Sequence, residues 1–324
     1  MVVAAVADGD SMARVVTHKN IEVGASVTPV RVGSYQRFLK RRSTLAVALV
    51  TPLMVLIGGL VVYPFFYAIY LSMLNKAETT FIGFANFRFL FTRDTFWMVV
   101  WQSTLFALTA VFFKALIGFV LAHAIHALPD RRQRFWRGVS LVPWVMPPAL
   151  STLGWWWLYD PTYSAFNWIL GTLFGAHVAW LSDPNWARFS VILVNIWIGS
   201  PFFLIMYLAA LKSVPPDLYE AAEIDGANAR QQLIYVTLPM MRNIIAITGL
   251  FSIIVTFANF DIVRVLTQGG PFNTTHLFGT YSFLLGIQSG DIPLGSSVAL
   301  FMFPILGVLA FFILRNVRQR ATEL

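Results

Sequence analysis

Cysteine is absent from the 324 residues of this sequence, and charged side chains make up only 12% of it. Without thiols the chain has no disulfide, thiolate zinc site, iron–sulfur cluster or cysteine nucleophile. In soluble domains, about a quarter of all residues are usually charged. Because 57% of the residues are hydrophobic, this scarcity of charge predicts that lipid covers much of the molecule.

Signatures of enzymes are also missing. The sequence contains no Gly-Lys pair, and therefore no P-loop that could cradle the phosphates of ATP. His123 and His126 lie near each other, but two imidazoles without a third ligand favour an interfacial position over a metal site. We predict no metal, no cofactor bound by this chain and no catalytic residue, which disfavours an integral membrane enzyme.

Long stretches almost free of charge are the main feature that is present. A helix needs about 20 apolar residues to cross the roughly 30 Å hydrocarbon core of a bilayer. Six stretches are long enough: residues 43–75, 95–128, 138–159, 189–211, 243–260 and 292–314. They predict an all-α integral membrane fold with six transmembrane helices in a domain of residues 43–316. Residues 1–42 are predicted to be a poorly ordered extension, and residues 317–324 a short tail.

The distribution of basic residues predicts the orientation of the chain. The two terminal segments and the loops 129–137 and 212–242 contain 17 Lys and Arg residues, whereas the three opposite segments contain 5. Basic residues in short loops mark the cytoplasmic side. Both termini are therefore expected in the cytoplasm. The net charge of +8 is explained by orientation, and nucleic acid is not expected as a partner.

The loop between the fourth and fifth stretches has the pattern of a helix, a tight turn and a second helix. Pro215 and Pro216 suit a first helical turn, and Gly226 can adopt the positive φ of a helix stop. Pro239 is expected to end the second helix before the next span. From these residues alone, the segment 213–239 is a cytoplasmic helical hairpin.

The same segment carries a recognisable motif. Glu220-Ala221-Ala222, then Asp225-Gly226, and finally Leu238-Pro239 resemble the signature loop of binding-protein-dependent ABC importer permeases. Shorter matches to carbohydrate-uptake permeases of this family occur along most of the chain, at Tyr63-Pro64, Asn86-Phe87, Val142-Pro143, Trp180, Asp183-Pro184 and the segment 266–271.

This resemblance implies an ATP-driven carbohydrate importer in a bacterial cytoplasmic membrane. Its expected partners are a second permease subunit, two nucleotide-binding subunits that hold ATP and Mg²⁺, and an external solute-binding protein. In the family, the first helix of the loop docks on the nucleotide-binding subunit. The residues that carry this coupling here are by resemblance Glu220, Ala221, Ala222, Asp225 and Gly226.

Polar residues within the spans are candidates for substrate contacts. Ser252, Thr256 and Asn259 recur at intervals of four and three, which places them on one helical face. From spacing alone, a seam of hydrogen bonds between helices is an equal alternative. The larger membrane subunit of maltose importers, which this sequence resembles, has sugar-contacting positions that match Asn195, Trp197, Gly199, Phe202, Ser252, Thr256 and Asn259. Phe202 and Thr256 differ from its Tyr and Asn, which implies a different sugar.

Two cations stand at unusual positions, and either could attract an acidic sugar. Lys114 lies in the middle of the second stretch, where a basic residue is costly, and Arg264 follows the fifth. The alternatives are that Lys114 snorkels or pairs with a neighbouring subunit, and that Arg264 pairs with Asp261. The leading hypothesis is an acidic oligosaccharide of the alginate or pectin type, and the alternative is a neutral oligosaccharide. An ion-coupled secondary transporter would need ionisable residues deep within its spans; Lys114 alone qualifies, and no acidic residue does.

Overall fold

A computed structural model describes residues 42–321 of the chain. The predicted N-terminal extension, residues 1–42, lies outside this range except for its last residue. Within the described range the regular structure is helical, apart from an isolated antiparallel bridge between Leu74 and Phe81. The all-α prediction is therefore confirmed for this part of the chain.

The chain divides into two units at the Gly59–Leu60 boundary. The first unit contains helix α1 (Arg42–Ile57), and a π-helical turn (Gly58–Val62) leads into the second. The helices of the second unit are α2 (Tyr63–Ser72), α3 (Ala85–Phe91), α4 (Asp94–His126), α5 (Asp130–Val145), α6 (Pro148–Leu158), α7 (Ala165–Phe174), α8 (Pro184–Ser213), α9 (Pro216–Ile224), α10 (Ala229–Gln232), α11 (Leu238–Phe257), α12 (Asp261–Leu266), α13 (Phe278–Phe283) and α14 (Ile292–Ala321).

Five helical segments in the described range are long and apolar enough to cross a membrane. They are Leu49–Ser72, Asp94–His126, Pro184–Ser213, Ala229–Leu266 and Ile292–Arg315. Each overlaps one of the predicted stretches. α14 continues to Ala321, so the helix extends into the predicted tail.

The remaining predicted stretch, residues 138–159, is not one continuous helix. It is divided between α5 and α6 by an extended break at Met146 and Pro147, with ψ values of 137° and 127°. A residue before proline is disfavoured in the α conformation, and Pro147 is followed by Pro148. Two successive prolines therefore interrupt the helix, and the third of the six predicted spans consists of two shorter helices.

Pro239 does not end a helix, contrary to the sequence-based expectation. Helical structure continues from Ala229 to Phe257, with a π-helical turn (Leu233–Thr237) ending two residues before Pro239. A proline inside an α-helix would clash with the carbonyl four residues earlier. The π turn is wider than an α-helical turn and accommodates the proline where the second arm of the 213–239 segment meets the fifth span. The second arm therefore continues into that span as one helix.

The core of the second unit lies where α4 packs along α8. Phe106 and Ala110 of α4 form a buried cluster with Val191 and Val194 of α8. Farther along the same pair, Gly118 lies against the backbone of α8, because a Cβ at this position would approach Leu204 N within 2.9 Å. Small residues allow such close contact between membrane helices. This tight pair fixes the frame on which the candidate site is built.

Candidate functional site

Lys114 lies at the meeting point of three long helices. It belongs to α4, is only 4% exposed, and its Nζ donates a hydrogen bond to Oγ1 of Thr256 on α11 at 3.0 Å. Thr256 is itself 1% exposed. Snorkelling would carry the ammonium to the membrane surface, whereas here it is directed inward. The structure therefore brings together a predicted sugar contact and a predicted contact for an acidic group.

Gly199 of α8 provides the space in which the lysine lies. A Cβ at position 199 would be 2.6 Å from Lys114 Cε, 2.8 Å from Cδ and 3.0 Å from Nζ. Distances below 3 Å are shorter than van der Waals contact, so a larger residue would displace the lysine side chain. The absence of a side chain at Gly199 thus permits Lys114 to cross α8 and reach Thr256.

Two amide oxygens lie one turn from this contact. Asn195 precedes Gly199 by four residues, and Asn259 follows Thr256 by three. Each has a buried Oδ1 without a hydrogen-bond partner among the described residues. Buried polar atoms are normally paired, so these two oxygens are unusual in that the described residues leave their acceptor capacity unused.

The directions of the helices place these two amides on the same side of Lys114. Residues late in α8 cluster with Met241 at the start of α11. Residues early in α8 cluster instead with Ile262 and Leu266 of α12. α8 and α11 are therefore antiparallel, and positions before Gly199 lie level with positions after Thr256.

Ser252 and Phe202 belong by the same reasoning to the opposite side of Lys114. Ser252 is buried one turn before Thr256. The ring of Phe202 lies 5.2 Å from Phe251 and 6.1 Å from Trp144, measured between centroids. The candidate site therefore has three levels: two amides, the lysine contact, and a level that combines an aromatic ring with a hydroxyl.

Trp197 is not part of this arrangement. It lies two residues from both Asn195 and Gly199, which corresponds to roughly the opposite face of an α-helix. Its ring makes an edge contact with Trp155 at 5.5 Å. It lines an apolar cavity of about 310 Å³ together with Pro143 and Pro201. The structure thus separates Trp197 from the other six predicted substrate residues.

Arg264 also lies apart from Lys114, on the short helix α12. Among the described residues it forms no salt bridge with Asp261, the partner proposed from spacing. Its guanidinium lies instead over the ring of Phe283, 5.0 Å from the centroid. A cation–π contact of this kind leaves the positive charge unneutralised.

The predicted coupling residues form an exposed helix and turn. Helix α9 has no buried residue, and Ala222 is its one half-buried alanine. Asp225 caps the helix, and Gly226 follows with φ +77°. Ala227 N then donates to Ala222 O at 2.9 Å, which closes the turn. The helix–turn–helix interpretation is therefore confirmed.

Tyr219 was not identified from the sequence, yet it links the two arms of this segment. Its hydroxyl lies 3.0 Å from Oγ1 of Thr237 in the π turn. The hydroxyl of Thr237 also donates to Gln232 O at 3.3 Å. The position of Tyr219 within the motif could have suggested a role, but the pairing depends on the fold of the turn.

Long apolar helices that enclose amides, hydroxyls and a buried lysine, with an exposed helix between two spans, define a membrane-embedded transport subunit. The chain belongs to the family of binding-protein-dependent transport system inner membrane components, whose family model matches residues 114–323. Its relatives in this family are permease subunits and not enzymes, which confirms the predicted class.

Two curated relatives illustrate the similarity. The sulfoquinovosyl glycerol transport system permease protein SmoG of Agrobacterium fabrum is 31% identical over 281 residues, which cover 85% of this chain and 91% of SmoG. The maltose/maltodextrin transport system permease protein MalF of Salmonella typhimurium is 31% identical over 263 residues. That match covers 76% of this chain but 51% of MalF, so the chain spans about half the length of MalF.

Solved structures show the same fold. A chain of a bacterial ABC transporter involved in the import of the acidic polysaccharide alginate superposes with a TM-score of 0.77 and 23% identity. The superposition covers 89% of this chain and 99% of that chain. At this level of identity the likeness concerns the fold alone.

Proposed function

We propose that this chain is the membrane permease subunit of an ATP-driven, binding-protein-dependent carbohydrate importer. The family supports the transport class, and the names of SmoG and MalF support a sugar or a sugar derivative. The amides and hydroxyls that line the candidate site can exchange hydrogen bonds with sugar hydroxyls.

The leading substrate is an acidic oligosaccharide or polysaccharide such as alginate. The observation that carries this proposal is the buried ammonium of Lys114, which has no salt-bridge partner among the described residues. A charge removed from water is costly unless it is paired. A substrate carboxylate would supply that partner through a charge-assisted hydrogen bond. The alginate transporter, which shares the fold, is compatible with this substrate class.

A neutral disaccharide or oligosaccharide is the second candidate. Asn195, Ser252 and Asn259 are uncharged, and amides and hydroxyls of this kind suit neutral sugar hydroxyls. MalF, named for maltose and maltodextrin, favours this alternative. The two candidates differ in whether removal of the charge at Lys114 changes transport.

The proposed assembly contains a second permease subunit, two ATPases that bind ATP and Mg²⁺, and an external solute-binding protein, in a bacterial cytoplasmic membrane. In it, α5 and α6 together form the sixth crossing, and both termini lie in the cytoplasm with the loops that carry the basic residues. The exposed helix α9 would contact an ATPase through Glu220 and Ala221. Closure of the ATPases would then act on the fifth span through the continuous helix that begins at Ala229.

Gentle extraction from the native membrane, followed by mass spectrometry and transport assays, tests this proposal. We expect a P-loop ATPase and a second permease to co-purify. Vesicles that contain the complex and its binding protein should import a uronic acid oligosaccharide only with ATP, and Lys114→Gln should lower that uptake at least about ten-fold. Import by this chain alone without ATP would contradict the proposal. Unchanged uptake in the variant would favour the neutral substrate.

A further inference from the structure

The side chain of Lys114 occupies space that the proposed function assigns to the substrate. Its stem lies across Gly199, where a Cβ would be 2.6 Å from Cε, and its Nζ is bonded to Thr256 at 3.0 Å. Both Gly199 and Thr256 are proposed substrate contacts. In this conformation a sugar cannot reach the surface of Gly199 or the hydroxyl of Thr256 unless the lysine moves.

The ammonium of Lys114 has few polar partners in this position. An ammonium has three hydrogen-bond donors, and the hydrogen bond to Thr256 is the one that Nζ makes among the described residues. A buried charge with a single neutral acceptor is poorly compensated. An acceptor with a negative charge would therefore compete effectively with Thr256 for the ammonium.

The ammonium of Lys114 is carried by a flexible four-carbon stem. Gly199 contributes no side chain to the surface on which that stem lies. Asn195, one turn before Gly199 on α8, and Asn259, just beyond the end of α11, each have a buried Oδ1 without a partner among the described residues, and the antiparallel packing of α8 and α11 places both on the same side of Lys114. Acceptors for sugar hydroxyls thus lie beside a cation that can shift toward a sugar carboxylate.

We propose that Lys114 is an internal occupant of the substrate subsite and determines its specificity. In the absence of substrate, the lysine fills the subsite between Gly199 and Thr256. A substrate carboxylate accepts the ammonium and draws it away, which opens the subsite to the sugar ring. A neutral sugar cannot do so and is excluded. This inference rests on the proposed function, because it assumes that the carbohydrate passes between α4, α8 and α11.

Two variants separate the effect of the charge from that of the space. Lys114→Ala removes both the charge and the stem. Lys114→Met removes the charge but keeps a stem that reaches the position of Cε, the atom closest to Gly199. The complex, purified from its native membrane without the binding protein and placed in nanodiscs, is titrated with a uronic acid trisaccharide and with its carboxyl-reduced, neutral counterpart.

The wild-type complex is expected to bind the acidic trisaccharide at least about ten-fold more tightly than the neutral one. Both variants should lose this preference. The neutral trisaccharide should bind the Lys114→Ala complex about ten-fold more tightly than the wild-type complex, but it should not gain affinity for the Lys114→Met complex, in which the subsite is still filled.

The outcomes distinguish this inference from the proposed function. If the wild-type complex prefers the acidic sugar but Lys114→Ala gains no affinity for the neutral sugar, then Lys114 attracts substrate without occupying its subsite, and the inference is overturned. If the wild-type complex shows no preference for the acidic sugar, the proposed acidic substrate is itself wrong.

Gly199→Ala provides an independent test of the same contact. The added methyl group would displace the stem of Lys114, so acidic-sugar binding should weaken in the wild-type background. In the Lys114→Ala background there is no stem to displace, and the two substitutions should be strongly non-additive. Equal effects of Gly199→Ala in both backgrounds would show that the stem does not lie across this glycine, which would also overturn the inference.

Discussion

Gly226 adopts φ +77° directly after the exposed helix α9, and a Cβ added there would meet no other atom within 4 Å. The constraint at this position is therefore conformational and does not arise from crowding. A β-branched residue is strained in the left-handed region, at a cost of about 1–3 kcal/mol. We expect Gly226→Val to abolish ATP-driven uptake while the protein still inserts into the membrane.

Gly226→Asn is the matched control for this prediction, because asparagine tolerates the left-handed conformation better than other side chains. Uptake should be largely preserved in that variant. Insertion is checked by the amount of each variant in washed membranes. Normal uptake with valine at this position would show that the turn is not required for coupling.

His276 lies outside the five candidate spans and is buried against Gly269, with its Nδ1 3.1 Å from Thr280 Oγ1. Burial, and to a lesser extent the charge of Arg264, lowers the pKa of His276 from 6.5 to about 4. Because the folded-state pKa is below the unfolded value, the neutral ring stabilises the fold. This contribution is complete above about pH 6.5 and is lost as the pH falls toward 4.

We therefore expect the thermal midpoint of the purified complex to fall between pH 6.5 and pH 4, with a smaller fall for His276→Gln, which cannot titrate. Scanning fluorimetry across this range provides the measurement. If the thermal midpoint of His276→Gln falls with pH as steeply as that of the wild type, then groups other than His276 cause the fall.

Single residues also show what the sequence could predict about the site. The intervals between Ser252, Thr256 and Asn259 predicted one helical face. Ser252 and Thr256 do lie one turn apart on α11, and Thr256 accepts the hydrogen bond of Lys114, whereas Asn259 lies two residues beyond the end of that helix. The sequence could not predict that Lys114 crosses Gly199, because that contact depends on the packing of α4 against α8. Trp197 was grouped with Gly199 through the family resemblance, although helical geometry places the two on different faces.

At Gly118, helix α4 approaches the segment around Leu204 of α8 so closely that there is no room for a side chain. A methyl group at position 118 would lie 2.9 Å from Leu204 N, so the helices would have to separate. Overpacking of this kind costs about 1–3 kcal/mol. Gly118→Ala is therefore expected to lower the thermal midpoint of the purified complex.

Gly249→Ala on α11 is the control for this substitution. A Cβ at position 249 meets nothing within 4 Å, and alanine favours helix by about 1 kcal/mol over glycine. This variant should be as stable as the wild type or more so. Equal destabilisation by both substitutions would contradict the assigned contact between α4 and α8.

At the level of elements, runs of apolar residues predicted five long helices because burial in lipid requires length and low charge, and both can be counted. The interruptions were harder to predict. Proline at position 201 is accommodated inside α8, where Ser200 Oγ donates to Ile196 O at 2.6 Å. Pro147 and Pro148 together break a helix, whereas Pro239 follows a π turn within a continuous one. The local sequence contains the proline in each case, but the neighbouring structure decides its effect.

For the whole molecule, the distribution of charge supports a proposed topology that the fold leaves open. The segment 129–137 contains four arginines, which favours the cytoplasmic side. The segment that follows α6 contains Tyr163, which is 78% exposed. If α5 and α6 together cross the membrane, these two segments lie on opposite sides. If they do not, the number of crossings is odd and the termini are separated.

Because the chain has no cysteine, single cysteines can map this topology without background labelling. We expect a membrane-impermeant maleimide to label Tyr163→Cys in intact spheroplasts but to label Arg134→Cys only in inside-out vesicles. The two positions flank the broken pair of helices, so each serves as a control for the other. Labelling of both from one side would mean that α5 and α6 return to the face from which they start, and the six-span topology would have to be abandoned.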